Sequence, residues 1–273
     1  MTQKIAIQGI KGSFHDRVVE EYYPLAPELM ECLSFDALAK AVASGTCDQA
    51  VMAIENSIAG SILPNYALLD QYELVITGEH YLSIEHNLMA LPGQKIEDIQ
   101  EVHSHPMALL QCKKFFRDYP HIKLIESNDT AEEALKISKK KSTACGAIAG
   151  NRAAEIYGLE ILSPSIQTIK NNVTRFVIIQ KDKAEQSNDI SKAAWKFVLD
   201  HKRGSLATAL NVVSDCNLNL TKIQSLPVIE TPGKYAFFVD VTFDNPKDYF
   251  KAKSLLQIMA TAFKVLGEYR SGK

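Results

Sequence analysis

Four short polar clusters hold the side chains in this sequence that could do chemistry. The first is Gln8-Gly9-Ile10-Lys11-Gly12-Ser13-Phe14-His15, a glycine-containing turn between a strand-like and a helix-like run. Backbone N–H groups at a helix start suit a carboxylate or phosphate, although a plain turn accounts for the pattern as well. The spacing is not G-x-G-x-x-G, so a dinucleotide site is unsupported. The second is Ile54-Glu55-Asn56-Ser57-Ile58-Ala59-Gly60-Ser61, where an apolar strand ends in three polar side chains and then a glycine. Asn56 and Ser57 could donate to a ligand, and Glu55 could brace a loop or accept a proton. Helix capping by Ser57 or Ser61 is the alternative.

The third cluster is Val102-His103-Ser104-His105-Pro106, with Gln111 two turns into the following helix. Proline at the first helical position makes His105 or Ser104 a natural cap. The His-x-His spacing invites a metal, but the sequence places no third ligand, so no metal is expected. The fourth is Asn171-Asn172-Val173-Thr174-Arg175-Phe176. An arginine entering an apolar strand is expensive to bury unless paired. Arg175 is therefore either half of a structural ion pair or a bidentate clamp for a carboxylate.

Each cluster follows or enters a predicted strand. Lys4 to Gln8, Ala50 to Ile54, Lys123 to Ile125, Ala144 to Ala149 and Val173 to Ile179 read as strands. Phe35 to Ala43, Ser61 to Leu69, Pro106 to Tyr119 and Ala131 to Lys139 read as helices. Such alternation predicts an α/β fold with largely parallel sheets, which binds ligands beyond the carboxyl ends of its strands. The run Lys139-Lys140-Lys141 reads as a solvated helix end. A polar stretch at 181–192 without an apolar face reads as a linker. The divisions expected are therefore 1–182, a linker at 183–193, and 194–273.

After the linker the order changes. Strands at Ala194 to Leu199, Leu218 to Gln224 and Tyr235 to Phe243, and one around Lys264 to Leu266, interleave with two helices. Gly204 to Val213 forms the first helix; the second is expected to gather Leu255, Ile258, Met259, Ala262 and Phe263 on one face. Pro232-Gly233 is a turn signal. This is βαββαβ, a ferredoxin-like arrangement.

The 273 residues carry 30 Lys+Arg and 32 Asp+Glu, a formal charge of −2. That balance gives no electrostatic reason to bind nucleic acid or an anionic membrane. No run approaches the ~20 apolar residues of a membrane span, and no export signal opens the chain. Five scattered cysteines without a C-x-x-C pair read as reduced thiols. A soluble cytoplasmic protein is expected.

Taken together, Gly9-x-x-Gly12-Ser13-Phe14, Ile54-Glu55-Asn56-Ser57-x-x-Gly60, Ser104-His105-Pro106 with Gln111-Cys112, and Thr174-Arg175-Phe176 resemble prephenate dehydratase. Tyr157-Gly158-Leu159 upstream of Asn172 fits the same pattern. The second unit resembles an ACT domain, with Gly204-Ser205-Leu206 and Leu210 at its Gly-Ala-Leu-x-x-x-Leu element. The resemblance implies a two-lobed, periplasmic-binding-protein-like catalytic domain with the site in the cleft and no cofactor. It implies decarboxylating dehydration of prephenate to phenylpyruvate in phenylalanine biosynthesis. Thr174, Ser104, Asn56 and Gln111 fall on active-site positions. Arg175, Ser57, Gly60, His105, Thr130 and Phe176 are expected to contact substrate. L-Phenylalanine is expected at Gly204, Ser205, Leu206, Gln224 and Ser225, between ACT domains of a homodimer or homotetramer. Three departures stand out. The usual Gly-Pro opening reads Gly9-Ile10 and His15 replaces a common serine, both expected near the rim, and the Glu-Ser-Arg-Pro element reads Gln224-Ser225-Leu226-Pro227. An arogenate dehydratase and a non-catalytic amino-acid sensor are the alternatives.

Overall fold

A computed structural model describes residues 2–182, 189–228, 231 and 233–273. The chain opens with β1 (Lys4–Gln8), α1 (Phe14–Tyr22), β2 (Glu28–Cys32), α2 (Phe35–Ala43) and β3 (Gln49–Asn56). β1 lies between β2 and β3 and runs parallel to both. Ile5, Ala6 and Ile7 are all fully buried because helices cover both faces, the pattern of a parallel sheet centre. Ser13 and Ser34 cap α1 and α2 by accepting from the N–H of Asp16 and Ala37. The two-residue strand β4 (Gly60–Ser61), α3 (Leu63–Gln71) and β5 (Val75–Ser83) complete this part of the first lobe.

The chain then crosses to a second lobe: β6 (Asn87–Ala90), β7 (Glu101–Ser104), α4 (Pro106–Cys112), β8 (Lys123–Glu126), α5 (Thr130–Lys140), β9 (Cys145–Ala149), α6 (Asn151–Tyr157) and β10 (Glu160–Ser163). Its five strands are ordered β10-β6-β9-β7-β8. β11 (Val173–Gln180) returns to the first lobe and pairs antiparallel with both β3 and β5. Each lobe has its own core, so the architecture is mixed α/β with two sheets. The expectation of largely parallel sheets needs correcting: both are mixed, because each crossing between lobes reverses a strand.

The expected 183–193 linker is described from residue 189 onward, and residues 183–188 lie outside the described residues. β12 (Lys192–Val198) already includes Lys192, so the sheet of the third unit starts two residues before the expected boundary. α7 (Ser205–Asp215), β13 (Asn219–Pro227), β14 (Tyr235–Thr242), α8 (Pro246–Met259) and β15 (Ala262–Tyr269) follow. Their antiparallel order β13-β14-β12-β15 is the ferredoxin-like βαββαβ arrangement. Pro232 of the expected turn lies outside the described residues. The expected face of α8 is corrected. Ala262 and Phe263 belong to β15, Ile258 is exposed, and Tyr249, Ala252 and Leu256 make the buried face. Counting alternate helical positions past Met259 had carried the period beyond the real helix end.

One face of this unit's sheet packs on α7 and α8, and the other packs on the first lobe. Ala194, Ala236 and Phe238 share a core with Tyr66, Leu69 and Val177. β15 also meets β5 in parallel at Gly267 and Ile76, which joins the two sheets into one of ten strands. Gly267 is required there: a Cβ would run into the Ile76 carbonyl. All five cysteines are free thiols, and Lys139, Lys140 and Lys141 are exposed at the end of α5. Among the described residues no helix is long and apolar enough to cross a membrane.

Candidate active site

A cavity of about 350 Å³ lies between the lobes. Its walls include the start of α1 (Ser13, Phe14, His15), the end of β3 (Asn56), α4 with its cap (His105, Met107, Ala108, Gln111), the start of α5 (Asp129, Thr130), and β11 (Thr174, Phe176). The lobes are held together beside it. Arg152 of α6 binds Asp16 of α1 at 2.6 Å and Glu20 at 2.5 Å, and the Tyr157 hydroxyl donates to the Lys11 carbonyl. Gly9 adopts φ +90°, and a Cβ there would stand 3.1 Å from the Asp129 carboxylate across the cleft.

The polar wall is one hydrogen-bonded chain whose polarity can be derived from its end. Asn56 Oδ1 accepts from the backbone N–H groups of Ile58 (3.0 Å) and Ala59 (2.9 Å). Backbone N–H can only donate, so the Asn56 amide is fixed with Nδ2 toward its other partners. Nδ2 donates to Asn172 Oδ1 (2.7 Å) and to Thr174 Oγ1 (2.9 Å). Asn172 must then donate through Nδ2, which it does, to Gln111 Oε1 at 2.9 Å. Gln111 Oε1 also faces His86 Nε2 at 3.0 Å, so that nitrogen carries the proton. Four side chains are thereby locked into one tautomer or flip by two backbone amides. Thr174 accepts from Asn56, which leaves its own proton as what it can offer a ligand.

Burial keeps His15 and His86 neutral. Loss of hydration lowers the pKa of His15 to about 3 and that of His86 to about 4. His15 stands edge-on to Phe176 with ring centroids 5.0 Å apart; it is a buried wall residue, which corrects the expected place near the rim. Burial also raises the Asp129 carboxyl, although the backbone N–H groups of Glu132 and Ala131 oppose it. Among the described residues, no lysine or arginine lines this cleft.

Thr174, Asn56, Gln111, His105, Thr130 and Phe176 all reach the cleft. Four other expected site residues do not line it. Ser104 is fully buried and donates to the Ile148 carbonyl at 2.7 Å, because strand alternation turns it into the second-lobe sheet. Ser57 accepts from the Val173 N–H (2.9 Å) and donates to the Asn171 carbonyl, bracing the loop from behind. Gly60 pairs with Asn56 in the short β4 strand, and Ala59 supplies the lining instead. Arg175 sits between Thr174 and Phe176, so alternation sends it to the opposite face, toward the third unit. There its Nε meets Glu79 at 2.7 Å, Nη1 meets Asp240, and Nη2 donates to the Tyr269 hydroxyl at 2.8 Å. The ion-pair alternative thus describes Arg175, and the clamp for a carboxylate does not. Glu55 likewise pairs with Lys222 at 3.0 Å.

His105 caps α4 by accepting from Met107 N–H, while His103 faces Glu101 and Glu133; the two histidines do not share one ligand position. His86, Asn172 and Asp129 went unselected in the sequence. Asn172 lies within the fourth cluster, though the sequence assigns it no role, and nothing local distinguishes His86, whose position follows only from the crossing between lobes.

The fold is a two-lobed α/β domain with a cleft between its lobes, joined to a ferredoxin-like unit. The prephenate dehydratase family model matches residues 5–184, and the chain belongs to that family of lyases. Arogenate dehydratase 2 of Petunia hybrida is 36% identical, covering 98% of this chain and 72% of the relative. The bifunctional chorismate mutase/prephenate dehydratase of Enterobacter agglomerans is 32% identical, covering 98% and 70%. Among solved structures, one described as a novel type of quorum quenching acylase superposes with a TM-score of 0.88 at 27% identity, covering 98% of both chains. The prephenate dehydratase of Arthrobacter aurescens in complex with L-Phe gives 0.88 at 24% identity, covering 98% and 90%.

Proposed function

We propose that this chain is a prephenate dehydratase regulated by L-phenylalanine. The observation that carries the reading is the chain running from the Ile58 and Ala59 amides to Thr174. It presents a hydroxyl proton, polarised by Asn56, on the wall of a cleft of substrate size. In the reaction the bond between the ring and its carboxylate breaks, and its electron pair enters the ring to complete the aromatic system. The ring C–O bond breaks at the same time. The departing oxygen takes a proton and leaves as water, while the carboxylate leaves as carbon dioxide. Thr174 donates to the departing hydroxyl, with Asn56 and Gln111 holding the substrate. Positioned proton donation contributes about 10²–10⁴-fold. Asp129, raised by burial, and His105 are the rival donors in the same cleft. With Arg175 occupied elsewhere and Asp129 holding the first N–H groups of α5, the substrate's carboxylates fall to the N–H groups at the start of α1 and to the neutral donors of the cleft wall.

The third unit is read as an ACT domain, with L-phenylalanine held at Gly204, Ser205, Leu206, Gln224 and Ser225 between two copies in a dimer or tetramer. The L-Phe complex of the Arthrobacter relative supports this reading, as does the exposed row on β13. A cytoplasmic location belongs to the same proposal.

The test is to mix purified protein with prephenate and follow phenylpyruvate, and with arogenate and follow phenylalanine, each with and without added L-phenylalanine. Turnover of prephenate faster than arogenate and slowed by L-phenylalanine is expected. Faster arogenate turnover would replace the substrate assignment, and no turnover of either would overturn the reading.

A further inference from the structure

The junction between the first lobe and the third unit holds a cluster of buried charges that the cleft chemistry does not use. Glu79 accepts from Arg175 (2.7 Å), from Lys192 (2.8 Å) and from the Gly272 N–H (3.0 Å). Asp240 on β14 and Tyr269 on β15 take the other two guanidinium nitrogens of Arg175. Arg175 is 5% exposed, Glu79 4% and Asp240 3%. Such groups are costly to bury and tolerate little departure from ideal geometry. The Arg175 backbone is therefore held where three strands from two units require it.

Thr174 is the next residue on the same strand, and its Cα pairs with that of Asn56 across β3. Beside it the β3 pairing skips Ile54, so the register shifts in β3, while β11 keeps an unbroken register with β5 through Thr174, Arg175 and Phe176. We propose that Arg175 is a positioning residue: its grip on Asp240 and Tyr269 makes the place of the Thr174 hydroxyl in the cleft depend on how the third unit is seated. This rests on the reading of Thr174 as the proton donor. The strand acts as a rigid link; one side chain reads the seat and the next delivers the proton. Glu79 alone would suffice to neutralise Arg175 within the first lobe. Two further partners from the third unit make the position conditional on that unit.

The experiment measures kcat and KM for prephenate in Asp240→Asn, Thr174→Ala and the double variant, with urea unfolding of each. The expected result for Asp240→Asn is a fall in kcat of about tenfold with KM changed less than about twofold. In the Thr174→Ala background the same change is expected to cost less than about twofold further, since the group it positions is gone. Losses that multiply, or a wild-type kcat in folded Asp240→Asn, would overturn the proposal. Wild-type turnover by folded Thr174→Ala would sink the donor assignment first and this inference with it. Should Asp240→Asn fail to fold, Tyr269→Phe removes one hydrogen bond from Arg175 without unpairing a charge. It is then expected to lower kcat about threefold with KM unchanged, and no change in kcat would overturn the proposal.

Discussion

The cleft and the junction behind it are built a few ångströms apart on the same strand, from opposite materials. The cleft wall is a chain of neutral groups, Asn56, Asn172, Gln111, His86 and Thr174, with its direction set by two backbone amides. The junction is made of ionised groups, Arg175, Glu79, Lys192 and Asp240, each neutralised by another. A neutral chain of defined polarity can meet a ligand without first giving up a partner charge. A network of paired ions offers a ligand no unpaired charge, but it fixes geometry strongly, because every member is costly to unpair. Alternation along β11 lets one segment serve both.

If the two regions differ in this way, they should break differently. The largest effect is expected from Glu79→Ala, which strands Arg175 and Lys192 in a buried site. A loss of about 3–5 kcal/mol is expected in urea unfolding, and a loss below ~1 kcal/mol would mean that the junction is not a tight network. Asn56→Asp keeps the loop's backbone hydrogen bonds but removes both donors. It should lower kcat about 100-fold, equivalent to ~2.7 kcal/mol, with the urea midpoint changed far less than in Glu79→Ala. Comparable losses of stability in the two variants would erase the distinction.

The regions should also separate on a pH axis. His15 and His86 have folded pKa values near 3 and 4, below the ordinary 6.5. Below pH 6.5 the unfolded chain therefore takes up protons that the folded cleft refuses, and stability falls as pH falls toward those values. The loss is on the order of 2 kcal/mol per histidine by pH 5. Glu79 is held below the usual 4.5: burial alone would raise it, but Arg175 and Lys192 outweigh that. Its contribution is complete above 4.5 and is lost only as pH falls through the lower folded value. His86→Asn should about halve the slope of the stability profile between pH 6.5 and 5, because His15 keeps its share, and leave the more acidic limb in place; an unchanged upper limb would reject the assignment. The smallest effect is expected from Arg152→Ala, which removes a partly exposed pin between lobes. About 1 kcal/mol of stability or less, with a KM for prephenate raised a few-fold, is expected, and an unchanged KM would show that this pin does not shape the cleft.

Much of the first region was legible in the sequence. Asn56 closes β3, at the carboxyl end where open α/β folds place ligands, while Gln111 in the helix after β7 and Thr174 at the start of β11 stand in short polar motifs. The second region was not, because Arg175, Glu79, Asp240 and Lys192 come from four separate strands of two units. No local pattern tells which face an arginine will take when its partners lie that far along the chain. Ser104 failed for a related reason: a serine at a strand end looks alike whether alternation turns it to the cleft or into the sheet. Element types were recovered well where apolar period was strong, as at Phe35–Ala43. The strands β2 and β5 were missed, since charged and polar residues interrupt their apolar pattern.

The single bridge between Gly267 and Ile76 has a consequence for synthesis of the chain. β5 is made early, yet its second neighbour, β15, leaves the ribosome almost two hundred residues later. During that interval the first lobe carries an open strand edge, and Glu79 has no partner there until β11 brings Arg175 to it. An inward carboxylate on an open edge discourages a foreign strand from docking there. The same side chain that locks the finished junction thus guards the nascent one, and Glu79→Gln is expected to raise light scattering during refolding more than it lowers final stability.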